Sequence, residues 1–259
     1  MHKSDQRKWT MAGTAAVVLT PILWLSFVYA TRAQSPSPPP SGDGDAALLD
    51  GFRHVEVASV SDAIEQILGK RMYMSHRMQA LFPAKFAGFA VTVLLKKDEG
   101  NHDQTALNGM LAAIDQGAAH SVYVMVVEEG ADIAGMGGLM GTAMYARGYA
   151  GAVIDGGLRD TAYLRKIGFP VYALGPVPST SIQHYRFAGA NLPVSCDGVP
   201  VSAGDIVTAD SDGVVVVPRS RATEILSAAQ QLDFKEHSMY AYIEKYKSIE
   251  EAVKRFGRL

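Results

Sequence analysis

The chain has 259 residues, of which 48% are apolar and 19% charged. This composition is globular and excludes a disordered, collagen-like or coiled-coil chain. Lysine and arginine number 24 against 26 aspartate and glutamate residues, so no basic excess marks a nucleic-acid binder. The one cysteine, Cys196, excludes an intramolecular disulfide and a cysteine-based zinc site. We expect its thiol to lie in the core.

The beginning of the chain predicts an export segment. Residues 10–30 contain no charged side chain and follow Lys3, Arg7 and Lys8. A basic start and an apolar stretch of about 20 residues are typical of a signal peptide or a membrane anchor. We therefore interpret residues 1–33 as one of these two, with the body of the protein exported, either periplasmic or membrane-anchored outside the cytoplasm.

A linker is predicted between this segment and the folded body. Residues 34–45 are rich in proline, glycine and serine, a composition that favours an extended and poorly packed tether. Residues 46–259 contain no internal repeat and no second linker, so we expect them to form one domain.

Short apolar runs alternate with helical patterns in the first part of this body, which predicts an α/β fold with a parallel sheet. The predicted strands are residues 89–95, 121–127, 151–155 and 170–174. The predicted helices are residues 61–68, 104–116, 139–146 and 161–166.

The later part has a different pattern. Four short apolar runs are separated by turn residues, including Asp197-Gly198 and Asp212-Gly213. Because Asp-Gly between apolar runs is a hairpin signal, we expect a second, antiparallel sheet. The runs are residues 193–195, 199–201, 205–209 and 213–218, and residues from 219 onwards are predicted to be helical.

A glycine-rich run, residues 135–141, opens one of the predicted helices. Glycine lets a backbone approach a ligand closely, and the N–H groups at a helix start favour an anion. The run lacks the dinucleotide fingerprint, because Met140 stands where a third glycine is needed, and it lacks the Gly-Lys-Ser/Thr of a phosphate loop. It predicts either a carboxylate or phosphate site, or close packing of the helix on the sheet.

Arg159 and Asp160 follow a predicted buried strand and a glycine-rich turn. Ligands gather at the carboxyl ends of parallel strands. A guanidinium suits a carboxylate or an enolate oxygen, and one carboxylate with waters is a common way to hold Mg²⁺. The alternative is an Arg–Asp pair on the surface.

Taken together, these segments resemble the RraA-like family, which contains divalent-metal 4-hydroxy-4-methyl-2-oxoglutarate aldolases and the regulator of ribonuclease E activity. The resemblance covers most of residues 55–259, and its most specific element is the spacing from Gly138 to Arg159-Asp160. The matching stretches are residues 137–140, 146–160, 169–173, 193–194, 204–207 and 209–218.

The resemblance implies a layered β/β/α swivelling fold of the phosphohistidine-domain type. Its central sheet would be parallel and its second sheet antiparallel. It also implies a homotrimer, or a hexamer of two trimers, with active sites between subunits. The implied partner is a small 2-keto acid, with no nucleic acid.

The resemblance also implies roles for individual residues. The backbone of Gly137, Gly138, Leu139 and Met140 would bind the carboxylate end of the substrate. Arg159 would contact pyruvate-like oxygens as a catalytic group, and Asp160 would ligate Mg²⁺ or Mn²⁺. Glu236 would be a catalytic residue, the acidic side chain that a neighbouring subunit contributes to the site.

One position departs from the family pattern, because the aldolases carry an acidic residue where this chain has Gly138. That acid would position water or a proton-transfer group. The implied activity is a metal-dependent (class II) lyase that cleaves 4-hydroxy-4-methyl-2-oxoglutarate, decarboxylates oxaloacetate, or does both. The alternative is a non-catalytic regulatory protein that binds a ribonuclease or another protein partner.

Overall fold

The computed structural model describes residues 43–257. The predicted signal or anchor segment, and residues 34–42 of the predicted linker, lie outside the described residues. Helix α1 (Asp43–His54) begins three residues before the predicted start of the domain. Among the described residues, no helix combines the length and the apolar character that a membrane crossing needs.

Strands and helices alternate through the first part of the described chain, as the hydrophobic pattern predicts. The strands there are β1 (Gln79–Ala80), β2 (Phe86–Lys97), β3 (Ser121–Val127), β4 (Ala134–Met136), β5 (Gly151–Leu158) and β6 (Val171–Pro176). The helices are α2 (Val57–Leu68), α3 (Asn108–Gln116), α4 (Gly138–Ala146) and α5 (Thr161–Ile167).

The later part contains short strands and then two helices. The strands are β7 (Tyr185–Ala190), β8 (Val194–Cys196), β9 (Val199–Val201), β10 (Ile206–Asp210) and β11 (Gly213–Val217). Helix α6 (Ala222–Tyr246) and helix α7 (Ile249–Phe256) follow. Lys247 adopts a left-handed conformation with φ 58°, and the Ser248 side chain caps α7.

The main sheet has the order β1-β6-β5-β3-β2-β10-β11, with β4 beside β5 and β7 beside β2. Its centre, β2-β3-β5-β6, is parallel. The outer pairings with β1, β7, β10 and β11 are antiparallel. The α/β class, the parallel centre and a second antiparallel sheet are therefore confirmed.

The assignment of strands to the second sheet is partly wrong. Only β8 and β9 form it, joined through the predicted turn at Asp197-Gly198. Strands β10 and β11 form the other predicted hairpin, but they extend the main sheet because β10 pairs with β2. A pattern of alternating apolar residues predicts a strand, but it does not determine which sheet the strand joins.

Helices cover the sheet over two clusters of buried side chains. Helices α1, α2 and α6 pack together over one cluster, where Val57, Val60, Ala63 and Ile64 of α2 give the stripe of an amphipathic helix. The second cluster includes buried residues of α3, α4 and α5. Cys196 is fully buried and free, and burial raises the pKa of its thiol, as expected for a core position.

Candidate functional site

The glycine-rich helix start and the Arg159-Asp160 turn lie side by side. Strand β5 ends at Leu158, and the Arg159 N–H donates to the carbonyl of Met136 at the end of the neighbouring strand β4 (3.0 Å). Because the two strands are parallel, the segments that follow them leave the sheet at the same end. The segment after β4 enters α4, and the segment after β5 enters α5.

The Asp160 side chain crosses from its own turn to the start of α4. Its Oδ2 atom accepts a hydrogen bond from the Gly138 N–H at 2.8 Å. Asp160 is the N-cap of α5, yet its side chain makes no capping bond to that helix. Its backbone is left-handed, with φ 57°, a conformation that aspartate tolerates better than most residues. The turn therefore aims this carboxylate at α4.

Two further N–H groups at the start of α4 are free of helical partners. The first bond within this helix runs from the Gly141 N–H to the Gly137 carbonyl (3.1 Å). The N–H groups of Leu139 and Met140 precede it, so they have no carbonyl to reach inside the helix. Together with the helix dipole, they form a position suited to a carboxylate.

Gly137 leaves room for the charged pair. A Cβ atom at this position would stand 2.7 Å from Asp160 Oδ2 and 3.0 Å from Arg159 Cγ. The close approach favours glycine here, because a methyl group would force the Asp160 and Arg159 side chains to move.

Arg159 is oriented by a second loop. Its Nη1 donates to the Ser179 carbonyl at 3.4 Å, and its Nε lies 3.9 Å from Asp160 Oδ2. The Ser179 hydroxyl joins the same loop to the residues before and within β4. It donates a hydrogen bond to the Asp132 carbonyl and accepts one from the Ala134 N–H. Both charged side chains stay about half exposed, so they are available to a ligand.

These groups line one cavity of about 470 Å³, within the range of ligand pockets. Gly137, Gly138, Leu139, Met140, Arg159 and Asp160 all line it. Its remaining walls come from the loop before α3, from α3 itself and from the loop before β7. In that lining Tyr185 donates its hydroxyl to the Glu128 carbonyl, and burial raises the pKa of this phenol.

The structure does not bring Glu236 to this cavity within one chain. Glu236 lies on α6, which packs against α1 and α2, and it accepts a hydrogen bond from Tyr240 on the same helix. Its proposed role therefore requires a neighbouring subunit and stays a prediction.

Several lining residues were missed by the sequence analysis. Predicted helix 104–116 begins only at Asn108, because the Asp103 carboxylate accepts hydrogen bonds from the Thr105 N–H and hydroxyl and holds the preceding residues in a turn. Asp103-x-Thr105 is a readable turn signal. Ile182, in the loop before β7, also lines the cavity and has no such signal. Ser179 in the same loop contacts Arg159 from outside the lining and has no such signal either.

Among residues 43–257, no group of three or more His, Cys, Asp and Glu side chains is placed to hold a metal ion. Asp160 therefore stands as a single carboxylate ligand candidate.

The fold and the site define an α/β protein in which a helix start suited to an anion lies beside an Arg–Asp pair. Residues 57–216 match the family described as RraA-like: Aldolase/RraA. The chain belongs to this family, and the resemblance seen in the sequence is confirmed.

Two relatives illustrate the similarity. A protein of Halalkalibacterium halodurans named "Putative 4-hydroxy-4-methyl-2-oxoglutarate aldolase" is 34% identical over 32% of this chain and 40% of its own length. Protein DlpA of Legionella pneumophila is 26% identical over 79% of this chain and 33% of its own length. The chain thus spans well under two thirds of either relative.

Solved structures share the fold over most of the chain. An uncharacterized protein from Pseudomonas syringae pv. tomato matches with a TM-score of 0.74 and 26% identity, over 84% of this chain and 96% of that one. RraAS2 of Streptomyces coelicolor, described as an unusual member of the RNase ES inhibitor RraA protein family, matches with a TM-score of 0.67 and 26% identity. That match covers 80% of this chain and all of RraAS2.

Proposed function

We propose that the protein is a divalent-metal-dependent lyase that acts on 2-keto acids and releases pyruvate. The reaction is aldol cleavage of 4-hydroxy-4-methyl-2-oxoglutarate, decarboxylation of oxaloacetate, or both. One observation carries the proposal: the free N–H groups of α4, the Arg159 guanidinium and the Asp160 carboxylate line a single cavity. The aldolase names of several relatives support the reaction class.

Different groups of this chain bind the carboxylate and the keto oxygen in the pyruvate half of the substrate. The Leu139 and Met140 N–H groups bind the carboxylate at the positive end of the helix dipole. Arg159, held by the Ser179 carbonyl, donates to the keto oxygen. The Arg159 contact strengthens as negative charge moves onto that oxygen, so it stabilises the transition state more than the substrate, whereas the N–H groups hold the carboxylate in position.

The donor chemistry of Asp160 fits Mg²⁺ or Mn²⁺. Its Oδ2 is engaged by the Gly138 N–H, which leaves Oδ1 as a ligand atom. A hard cation held by one carboxylate, with waters and substrate oxygens completing its shell, is how Mg²⁺ is commonly bound. The chemistry that such an ion supplies is Lewis-acid polarisation of the keto oxygen.

The two candidate reactions share an electron flow. In aldol cleavage the C3–C4 bond breaks, the 4-hydroxyl loses its proton, and the electron pair passes to the oxygen of the pyruvate enolate. In decarboxylation the C3–C4 bond breaks with loss of CO₂ and yields the same enolate. In both reactions C3 of the enolate then takes up a proton from solvent and gives pyruvate, and in aldol cleavage this balances the proton that the 4-hydroxyl releases. Arg159 faces the oxygen where the charge collects, so one site serves both reactions.

Pyruvate release from the purified full chain tests the proposal. Oxaloacetate and 4-hydroxy-4-methyl-2-oxoglutarate are each supplied with Mg²⁺, with Mn²⁺ and with EDTA, and pyruvate is followed with a coupled dehydrogenase. We expect release with either metal and its loss with EDTA. Absence of pyruvate from both substrates, with a folded protein, contradicts the proposal.

Two variants separate the roles of the charged pair. Arg159→Ala is expected to lower kcat by about 10²–10³-fold, the cost of removing one stabilising donor. Asp160→Asn keeps the acceptor for the Gly138 N–H and removes the charge, so we expect it to abolish the Mg²⁺ stimulation. Unchanged Mg²⁺ stimulation in Asp160→Asn contradicts the metal role.

A non-catalytic regulatory role is the second candidate, favoured by the structural similarity to RraAS2. It predicts a folded protein that releases no pyruvate and binds a ribonuclease. The proposed export of the domain argues against a cytoplasmic ribonuclease as the partner. Fractionation of cells that produce the full chain tests this location.

A further inference from the structure

Part of the cavity wall is polar and is not used by the proposed binding of the pyruvate half. His102 and Gln104 lie in the loop before α3, Asn108 is the first residue of α3, and Gln183 lies in the loop before β7. Within residues 43–257, the side chains of these four residues make no hydrogen bond or ion pair with the protein. They form a polar wall whose donors are free to bind a ligand.

The two loops that carry the polar wall are joined to each other. The Gly100 N–H donates to the Gln183 carbonyl at 3.0 Å, and His184 Nδ1 lies 2.6 Å from Glu99 Oε2. Between these contacts Gln183 has a left-handed backbone with φ 66°, which costs free energy for a residue other than glycine. Strained residues that are held by their surroundings cluster at ligand-binding positions, so this backbone indicates a functional reason for an amide in the lining.

The chemistry of the polar wall suits a carboxylate. Amide and imidazole N–H groups donate hydrogen bonds, and a carboxylate accepts several of them at once. Asp103 opposes such binding, because its hydrogen bonds with the Thr105 N–H (2.8 Å) and hydroxyl (2.7 Å) lower the pKa of its carboxyl and keep it ionised. The attraction therefore comes from the neutral donors of the polar wall.

We propose that Gln104, Asn108 and Gln183 bind the distal carboxylate of the substrate and thereby favour aldol cleavage over decarboxylation. The inference rests on the proposed function and adds a choice between its two reactions. In aldol cleavage of 4-hydroxy-4-methyl-2-oxoglutarate, the distal carboxylate keeps its charge and becomes the carboxylate of the second pyruvate. Its hydrogen bonds to the polar wall therefore persist in the transition state.

Decarboxylation loses the same hydrogen bonds. The C3–C4 bond of oxaloacetate breaks, its electron pair passes to the enolate, and the C4 carboxylate leaves as neutral CO₂ before C3 takes up a proton from solvent. Hydrogen bonds to that carboxylate weaken as its charge is lost, so they stabilise the substrate more than the transition state. A donor of the polar wall thus raises kcat/KM for aldol cleavage and leaves kcat/KM for decarboxylation nearly unchanged.

Gln104→Met and Gln183→Met each remove one amide and keep the length of the side chain. For the full chain with Mg²⁺, kcat and KM for pyruvate release are measured with both acids, after subtraction of the rate without enzyme. We expect KM for 4-hydroxy-4-methyl-2-oxoglutarate to rise about tenfold at nearly constant kcat, the effect of losing one hydrogen bond to a charged group. We expect kcat/KM for oxaloacetate to change by less than about twofold, so this acid is an internal control for folding and metal binding.

Gln116→Met is the matched control, because Gln116 is exposed at the end of α3 and lies outside the cavity lining. Unchanged kinetics in Gln104→Met and Gln183→Met, or an equal loss for both acids, overturn the inference and leave the proposed function standing. Pyruvate from oxaloacetate alone has the same meaning. Absence of pyruvate from both acids overturns the inference together with the proposed function.

Asp103→Asn tests the polar wall in the opposite direction. Asparagine keeps an acceptor oxygen for Thr105 and removes the charge that repels a distal carboxylate. We expect KM for 4-hydroxy-4-methyl-2-oxoglutarate to fall by roughly threefold, in the range of exposed charge pairs. A KM that rises or stays constant contradicts the placement of the distal carboxylate at the polar wall.

Discussion

Gly138 is a position at which the family resemblance implies an acidic residue in the aldolases. It is the first residue of α4, and its N–H already binds Asp160. A Cβ atom there would lie 3.2 Å from Tyr163 Cδ1 and 3.4 Å from Asp160 Cβ. The Tyr163 ring is 44% exposed and can move by a few tenths of an ångström, so the position admits a side chain.

Gly138→Asp tests what the missing acid would contribute. A second carboxylate beside Asp160 increases the negative charge around a bound cation, so we expect the Mg²⁺ concentration for half-maximal pyruvate release to fall by roughly tenfold. Gly138→Asn is the control of the same size without the charge. Identical Mg²⁺ dependence in the two variants would show that charge at this position does not act on the metal.

At the scale of secondary-structure elements, the start of α4 brings the Gly137 backbone close to the Arg159 and Asp160 side chains. Gly137→Ala places a methyl group 2.7 Å from Asp160 Oδ2, so the Arg–Asp pair must shift. A displacement of about 1 Å at a site costs up to 10²-fold in rate, and we expect kcat/KM for pyruvate release to fall by roughly 10–10²-fold.

Gly44→Ala is the matched control for this change. A Cβ atom at Gly44, in α1, would meet nothing within 4 Å, so activity should be unchanged. A Gly137→Ala variant with the activity of the control would show that the close approach at α4 is not needed for turnover.

Several of these secondary-structure elements could be predicted from the sequence. Runs of β-branched residues are strong local signals, and β3 and β9 begin and end at their predicted residues. The glycine run could be found because clustered glycines at a helix start indicate close approach of the backbone. Arg159-Asp160 could be found because two charged residues follow a buried strand and a glycine-rich turn. The rest of the cavity lining could not be found, because residues such as Leu111 and Ile182 have ordinary local sequence and come together only through the packing of α3 and the loop before β7.

Strand β5 and the hairpin β8–β9 are joined by a half-buried carboxylate. Asp155 Oδ2 accepts from the Asp197 N–H at 2.7 Å, and burial, followed by the charge of Asp197, raises the Asp155 pKa above its ordinary value of 3.8. A raised folded-state pKa stabilises the fold below the ordinary pKa. That contribution is lost as the pH rises through the raised value.

Asp155→Asn removes this pH dependence and keeps the hydrogen-bond acceptor. As the pH rises from about 4 to 7, we expect the melting temperature of the wild type to fall relative to that of the variant, because only the wild type then buries a charge. Asp62→Asn, on the exposed face of α2, is the control. A constant difference between wild type and Asp155→Asn across this range would contradict the assignment.

At the scale of the whole molecule, the candidate catalytic groups of one chain lie on two different surfaces. Arg159 and Asp160 belong to the cavity beside α3 and α4, whereas Glu236 lies on α6 and outside the cavity lining. Large apolar side chains are exposed on both surfaces, including Leu139 and Tyr145 on α4 and Phe234 and Tyr240 on α6. In a ring of identical chains, a head-to-tail contact would bring the two unlike surfaces together.

Mixed oligomers test whether the site is shared between subunits. Arg159→Ala and Glu236→Gln are each expected to be nearly inactive alone. If each site takes Arg159 from one subunit and Glu236 from its neighbour, coexpression of the two variants restores about a quarter of the wild-type activity, because random assembly pairs the intact halves that often. Native mass spectrometry verifies that mixed rings form. Mixed rings without restored activity would show that the two residues do not act together across a subunit contact.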